Sequence, residues 1–428
     1  MKKIFAIILT VCLIATAFCI TAFAAETDKT NAPEEGVVLR VSALKRDDTT
    51  VVIKDYTVFE DGWNAAMELA VKSKELNKND YARVIVDIYA DWNANVDGEF
   101  TEDFFNGKGF NWDAIYFQPN VRITLNLNGY TVNRGLTEWE YNGEVMYIDK
   151  RADVIINNGT ITGGFSCNGA GGIHVNGANV ELNNVNVVGN STDDDDGAGI
   201  AVYDGANLTM NGGTIVGNKT VGSSVGGGIY VSGATATLND VLISDNVLSS
   251  NVAGVGYWAT GAGCCVTRGT LTLNRCTVKD NHSDRYGGGL ALMYSGDLIV
   301  NNCTVTGNSA GIDGSAIAII EEGNCLVDGS DVTGNENTKY NSIFYVQWGT
   351  LQFSKTEYDP QISCWDDGEV IFADVSETFV GSLIGQGNIS MLLSLLAIIT
   401  AGVTFFIVVD KNKKLKALFA GASNEADV

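Results

Sequence analysis

The stretch Leu208-Thr-Met-Asn-Gly-Gly-Thr-Ile-Val-Gly-Asn218 returns, with its apolar positions kept, as Leu298-Ile-Val-Asn-Asn-Cys-Thr-Val-Thr-Gly-Asn308. Each half alternates apolar and polar residues, an Asn-centred turn joins the halves, and Gly-Asn closes the phrase. Related phrases open at Arg151, Ala178, Ala206, Ala234, Thr270, Asp297, Asn324 and Thr350, at spacings of 27, 28, 28, 36, 27, 27 and 26 residues. A unit this short cannot bury its own apolar face. Fixed periodicity of this kind therefore signals a solenoid whose stacked coils bury one another.

Strand parity separates inside from outside. One ladder, Val187, Ile215, Ile243, Val278, Val305 and Val332, is wholly aliphatic. A second runs Ile173, Ile200, Ile229, Cys264, Leu290 and Ile317. Both belong inside. The closing turns supply Asn190, Asn218, Asn246, Asn281, Asn308 and Asn335. Asparagine tolerates the left-handed backbone of such turns, and stacked carboxamides hydrogen-bond along the axis, so these residues read as structural.

Three short strands per coil of about 27 residues resemble the right-handed parallel β-helix of the pectate-lyase-like superfold, over Val121 to Asp374. The phrases Thr124-Leu-Asn-Leu-Asn-Gly-Tyr-Thr-Val132 and Gly226-Gly-Gly-Ile-Tyr-Val231 resemble repeats of bacterial surface proteins of the polymorphic-outer-membrane type. The resemblance implies an all-β solenoid. It specifies activity poorly, because that superfold carries lyases, hydrolases, esterases and adhesins alike.

An open coil end exposes unpaired backbone and needs a cover. Trp63, Ala66, Met67, Ala70 and Val71 recur at helical spacing, and Ala82–Ala90 alternates as a strand. This region, 36–120, is expected to be an N-terminal α/β cap, with a separate small domain as the alternative; Asp61-Gly-Trp63 through Asp91-Trp92 resembles the cap of the same surface proteins. Residues 25–35 read as a linker.

The two ends carry addresses. Lys2 and Lys3, an apolar run and Ala22-Phe23-Ala24 make residues 1–24 a secretory signal peptide, or else an uncleaved anchor. After a linker over 375–388, Ile389 to Val409 is an uncharged apolar run of 21 residues, long enough for one transmembrane helix. Lys411, Lys413, Lys414 and Lys416 follow it, so the tail 410–428 is expected in the cytoplasm and the solenoid outside. A buried soluble helix is the alternative. The basic tail resembles that of sortase-anchored surface proteins, but no LPxTG-type motif precedes the apolar run. The expected location is the bacterial cell membrane, single-pass, with no covalent wall attachment.

The formal charge of −24 excludes nucleic acid as a partner on electrostatic grounds. Acid–base chemistry needs groups converging within hydrogen-bond reach. The outward ladders Asn186–Asp331, Glu181–Leu326, His174–Ala318 and Val188–Thr333 hold no two ionisable groups in adjacent coils. His174 and His282 occupy different places in different coils, and Cys265 lies three coils from His174. No catalytic residue, metal site or cofactor is assigned. The run Asp193-Asp-Asp-Asp196 is either a solvated turn or a calcium loop, although the ordered alternation of a calcium loop is absent. Cys276 and Cys303 share one place in neighbouring coils, either bridged or free.

The unit from Ala234 to Gly269 is about nine residues longer than its neighbours, and Tyr257-Trp258 lies in the excess. Insertions in solenoids form loops on one face, often the binding face. Tyr257 and Trp258, extended by Tyr286 and Tyr230, are the expected ligand-binding residues; the alternative is that the rings pack onto the coil. The expectation is a surface adhesin or display module binding a glycan or a surface protein. A polysaccharide lyase or hydrolase, and a purely structural envelope stalk, are the other two readings.

Overall fold

The computed structural model describes residues 33–75, 81–94, 110–111, 114–222, 224–250, 260–337, 339–373 and 406–408. The chain winds as a right-handed parallel β-solenoid of about nine turns. In the sheet of longest strands, Asp153, Asn179, Asn207, Thr235, Thr270, Asp297, Asn324, Thr350 and Glu369 stand in register. The second sheet aligns Ile173, Ile200, Ile229, Cys264, Leu290, Ile317 and Phe344. The third is narrow, from Phe165–Ser166 to Glu336–Asn337. Both aliphatic ladders read from the sequence are fully buried in one continuous core. Each Leu or Ile buried there contributes about 1.5–3 kcal/mol.

The asparagine column is buried, with carboxamides pointing inward. The Nδ2 groups of Asn190, Asn218, Asn246, Asn281 and Asn308 each donate to the Oδ1 of the next coil's asparagine, at 2.9–3.1 Å. The same oxygens accept backbone N–H groups, so the carboxamides of this column are satisfied. One expectation is corrected: the left-handed residue is the one before each asparagine, as at Gly189, Gly217, Asp245, Asp280, Gly307 and Gly334. A second column does similar work. Asn157, Asn183, Asn211, Asn239, Asn274 and Asn301 each donate to the preceding coil's asparagine at 2.8–3.0 Å.

Cys276 and Cys303 are free thiols, which removes the disulfide alternative. The Cys276 N–H donates to Cys303 Sγ at 3.3 Å, and the Cys303 N–H donates to Ser330 Oγ at 3.0 Å. The sulfur thus fills the acceptor role that a hydroxyl fills one coil later.

The overlong coil is shorter than expected. Val247 lies 28 residues after its partner Lys219, whereas Thr260 lies 35 after Val225. The insertion is therefore seven residues rather than nine, and it falls between Ser249 and Thr260.

Ahead of the coils, β1 (Leu39–Lys45) pairs antiparallel with β2 (Thr50–Tyr56) and with β3 (Tyr81–Ile88). Helix α1 (Phe59–Glu75) buries Trp63, Ala66, Met67 and Ala70, as its spacing predicts. Trp63 meets Phe117 edge-on at 4.9 Å, and buried Trp92 donates its Nε1–H to Glu60 at 2.6 Å. Strand β3 runs parallel to Arg122–Asn126, which hands the register to the coils.

Among the described residues no helix is long and apolar enough to cross a membrane. Of the apolar run 389–409 only Phe406–Val408 is described, as a strand antiparallel to Glu369–Ile371. The rest of that run, and the segments expected to be a signal peptide (1–24) and a linker (375–388), lie outside the described residues.

Candidate functional site

Tyr257 and Trp258 lie outside the described residues. Tyr230 and Tyr286 do come together, but in a second apolar cluster outside the second sheet. That cluster holds Val225, Tyr230, Cys265, Ala291, Ala318 and Tyr345, with Tyr286 packed against it. The ladder from His174 to Ala318 has the expected register, yet most of it is covered; Tyr230 is only 8% exposed. The cover is backbone. Val225, Thr260, Tyr286 and Asp313 bridge one another in sequence, and the turn beside them lies over the strand. Tyr230 is thus buried in that cluster, and Tyr286 is half-buried against it.

Toward the N-terminal end this face continues as a column of rings. Tyr116, Tyr147, His174, Tyr203 and Tyr230 follow at centroid separations of 5.8, 4.6, 5.1 and 5.7 Å. The rings lie against one another along the axis, so their faces are occupied and no open platform is left. Burial pushes the His174 imidazole down to about 4, which keeps it neutral. His282 is a surface residue, its ring bonded to Ser309 Oγ at 2.8 Å and to Asp284 at 3.2 Å.

The acidic run is used by the fold. Asp195 accepts from the Gly169 N–H at 2.5 Å, and Asp196 accepts from the Val225 N–H at 2.8 Å, tying three coils together. Among the described residues no group of three His, Cys, Asp or Glu could hold a metal ion.

The most distinctive chemistry sits in the turn that joins the second sheet to the long-strand sheet. Register places Arg151, Gly177, Gly205, Gly233, Arg268, Ser295, Glu322 and Trp348 in one column, two residues before the aligned row that starts at Asp153. Every member is left-handed, with φ between 50° and 74°. Glycine adopts that conformation freely, whereas other residues are strained by on the order of 1 kcal/mol each. The central coils use glycine. The later coils place Arg268, Ser295, Glu322 and Trp348 there, with Tyr294 and Glu321 one residue before Ser295 and Glu322; all six, at φ 50–70°, surround one open cleft of about 510 Å³.

The Arg268 guanidinium lies 5.2 Å over the Tyr294 ring, a cation–π contact. Ser295 Oγ donates to Glu322 at 2.9 Å. Burial, then the Glu321 carboxylate, raises the Tyr294 phenol, so it stays protonated as a donor. Trp348 is 42% exposed. One coil on, Trp365 is 43% exposed in register with Gln347. The cleft therefore offers an open indole, a second ring, one guanidinium and two carboxylates. That set can hold a hydroxylated ring by stacking and by paired hydrogen bonds.

Sequence reasoning missed this site because parity was followed along strands, where the outward ladders are indeed almost free of paired ionisable groups. The available signal was the loss of glycine from the turn column after Gly233.

Residues 109–282 and 223–357 match the family model described as "Right handed beta helix region", more than half of the chain. No curated protein and no solved structure was found to match. The chain belongs to the right-handed β-helix family.

Proposed function

We propose that this right-handed β-helix protein is a membrane-anchored, surface-displayed module that binds a glycan in the turn cleft around Trp348. The observation carrying this reading is the cleft lining, six residues that all hold non-glycine side chains in left-handed backbone. Strain kept at a set of clustered surface residues points to use rather than to folding, since glycine at those positions would stabilise the coil. The exposed indole of Trp348 stacks on a sugar face, Arg268 and Tyr294 donate to ring oxygens, and Glu321 and Glu322 accept from hydroxyls. Display is supported by the signal-peptide pattern over 1–24 and by the uncharged run 389–409 with its lysine-rich flank. The N-terminal unit 36–120 serves as the cap of the first coil: α1 and β3 cover apolar residues that would otherwise face water.

The test is a glycan array with the detergent-solubilised full chain, followed by affinity measurements on hits. Trp348→Ala weakens binding at least about tenfold, the loss of one stacking contact, while Tyr257→Ala/Trp258→Ala leaves it unchanged. An array without hits, or a Trp348→Ala protein that binds normally, would sink the proposal. Release of reducing or unsaturated ends from a bound glycan, abolished by Glu321→Gln or Glu322→Gln, would instead establish the lyase or hydrolase reading.

A further inference from the structure

At the opposite end of the same turn column, Arg151 stands where the next three coils have Gly177, Gly205 and Gly233. Its φ is 60°, so the first coil, too, accepts strain to present a side chain. Arg151 lines a cleft of about 590 Å³ between the N-terminal unit and the first coils, together with Arg46, Arg83 and Arg122. Among the described residues of that lining Asp153 is the only carboxylate, so they carry a net charge of +3 on a chain of net −24. Screening over about 8–10 Å at physiological salt keeps the distant acidic surface from cancelling this local charge.

The four guanidinium groups are not equivalent. Arg83 is half-buried and locked: it donates to the Ile123 carbonyl at 2.9 Å, the Asp153 carbonyl at 3.2 Å and the Asp153 carboxylate at 2.6 Å. Asp153 is thereby spent on Arg83, with Arg122 at 3.7 Å and 68% exposed. Arg46, at the tip of the β1–β2 hairpin, and Arg151 are exposed, and among the described residues neither has a carboxylate within ion-pair distance. Two structural segments far apart in sequence thus aim uncompensated guanidinium groups into one space. The planar donor fork of arginine suits sulfate and carboxylate. A volume of about 590 Å³ far exceeds one oxyanion, and Asn120, Asn179 and Tyr81 add neutral donors and acceptors for a hydroxylated frame.

We propose that this arginine cleft binds an anionic saccharide, holding its sulfate or carboxylate groups on Arg46, Arg122 and Arg151. The site is separate from the Trp348 cleft and does not depend on that reading. Titration calorimetry on the detergent-solubilised full chain tests it, with a sulfated glycosaminoglycan hexasaccharide, its desulfated uronate form, a neutral hexasaccharide and inorganic sulfate as probes. The sulfated chain binds, more weakly as salt is added; the neutral one does not; and inorganic sulfate binds at least tenfold more weakly than the hexasaccharide. Arg46→Ala/Arg151→Gly weakens the saccharide at least tenfold while the melting temperature holds or rises, because glycine fits the left-handed turn without strain. Failure of both acidic saccharides to bind overturns the proposal. So does undiminished binding by the double variant, or inorganic sulfate matching the hexasaccharide.

Discussion

Glu144 is the residue at which the fold depends most clearly on protonation. It sits beside the first coil with 2% of its surface exposed, and its Oε2 has no hydrogen-bond partner among the described residues. Burial raises its carboxyl to about 8, against the smaller opposing pull of Arg134. The sign follows from linkage. Above about pH 4.5 the unfolded chain releases this proton while the folded chain keeps it, so this group's contribution falls as pH rises and levels off near pH 8. Glu144→Gln mimics the neutral acid at every pH. Thermal unfolding of the variant is expected to lose that decline and to exceed the parent near pH 8, by on the order of a few kcal/mol. Curves for the two proteins that stayed parallel from pH 5 to 8 would contradict this. The burial of His174 acts in the opposite sense: its depressed value makes folding less favourable as pH drops below the ordinary histidine range.

At the scale of the element, the turns decide what the strands can show. Where the chain enters the second sheet, the turn backbone folds over the next strand, which requires a left-handed residue with no side chain. Gly287 meets that need at φ 61°, where a Cβ would come within 2.9 Å of the Ala291 Cβ and the Leu290 carbonyl. Gly205 is also left-handed, at φ 74°, yet nothing lies within 4 Å of where its Cβ would be. Both substitutions to alanine strain the backbone, but only one also overpacks. Gly205→Ala is expected to cost about 1 kcal/mol and Gly287→Ala about 3 kcal/mol or more, measured by denaturant unfolding. Equal costs would show that backbone strain alone matters there. The same contrast explains the two clefts. The turn column is open, as at Gly205 and Gly233, so side chains such as arginine, glutamate and tryptophan are tolerated in it at the cost of backbone strain alone.

The whole molecule is a row of coils in which each buries its neighbour, so placement along the row matters more than sequence proximity. Arg46 and Arg151 share a cleft although 105 residues separate their numbers. At the far end the described strand Phe406–Val408 pairs with Glu369–Ile371, whereas the proposed anchor requires 389–409 to be a membrane helix. Fractionation of expressing cells tests that anchor. The full chain is expected in the membrane fraction, resistant to carbonate extraction, with a deletion of 389–428 released to the soluble exported fraction. A full chain that extracts with carbonate would remove the anchor from the proposal.

The sequence by itself determined the coil, because a repeated apolar parity permits one inside and one outside, and the ladders of Val187 and Ile173 keep to it. It also determined helix α1 and the structural role of the asparagines, since carboxamides at fixed spacing can satisfy one another only by stacking. Tertiary structure alone decided which outward residues remain outward. Tyr230 and Cys265 have outward parity but lie beneath turn backbone from neighbouring coils, while the acidic run from Asp193 is partly absorbed by N–H groups up to 29 residues away. It also decided that two stretches of one turn column, unremarked as sequence, converge into clefts. Parity is a property of a strand, read two residues at a time. Coverage and convergence depend on where the next coil's turn falls, and that is set only when the stack closes.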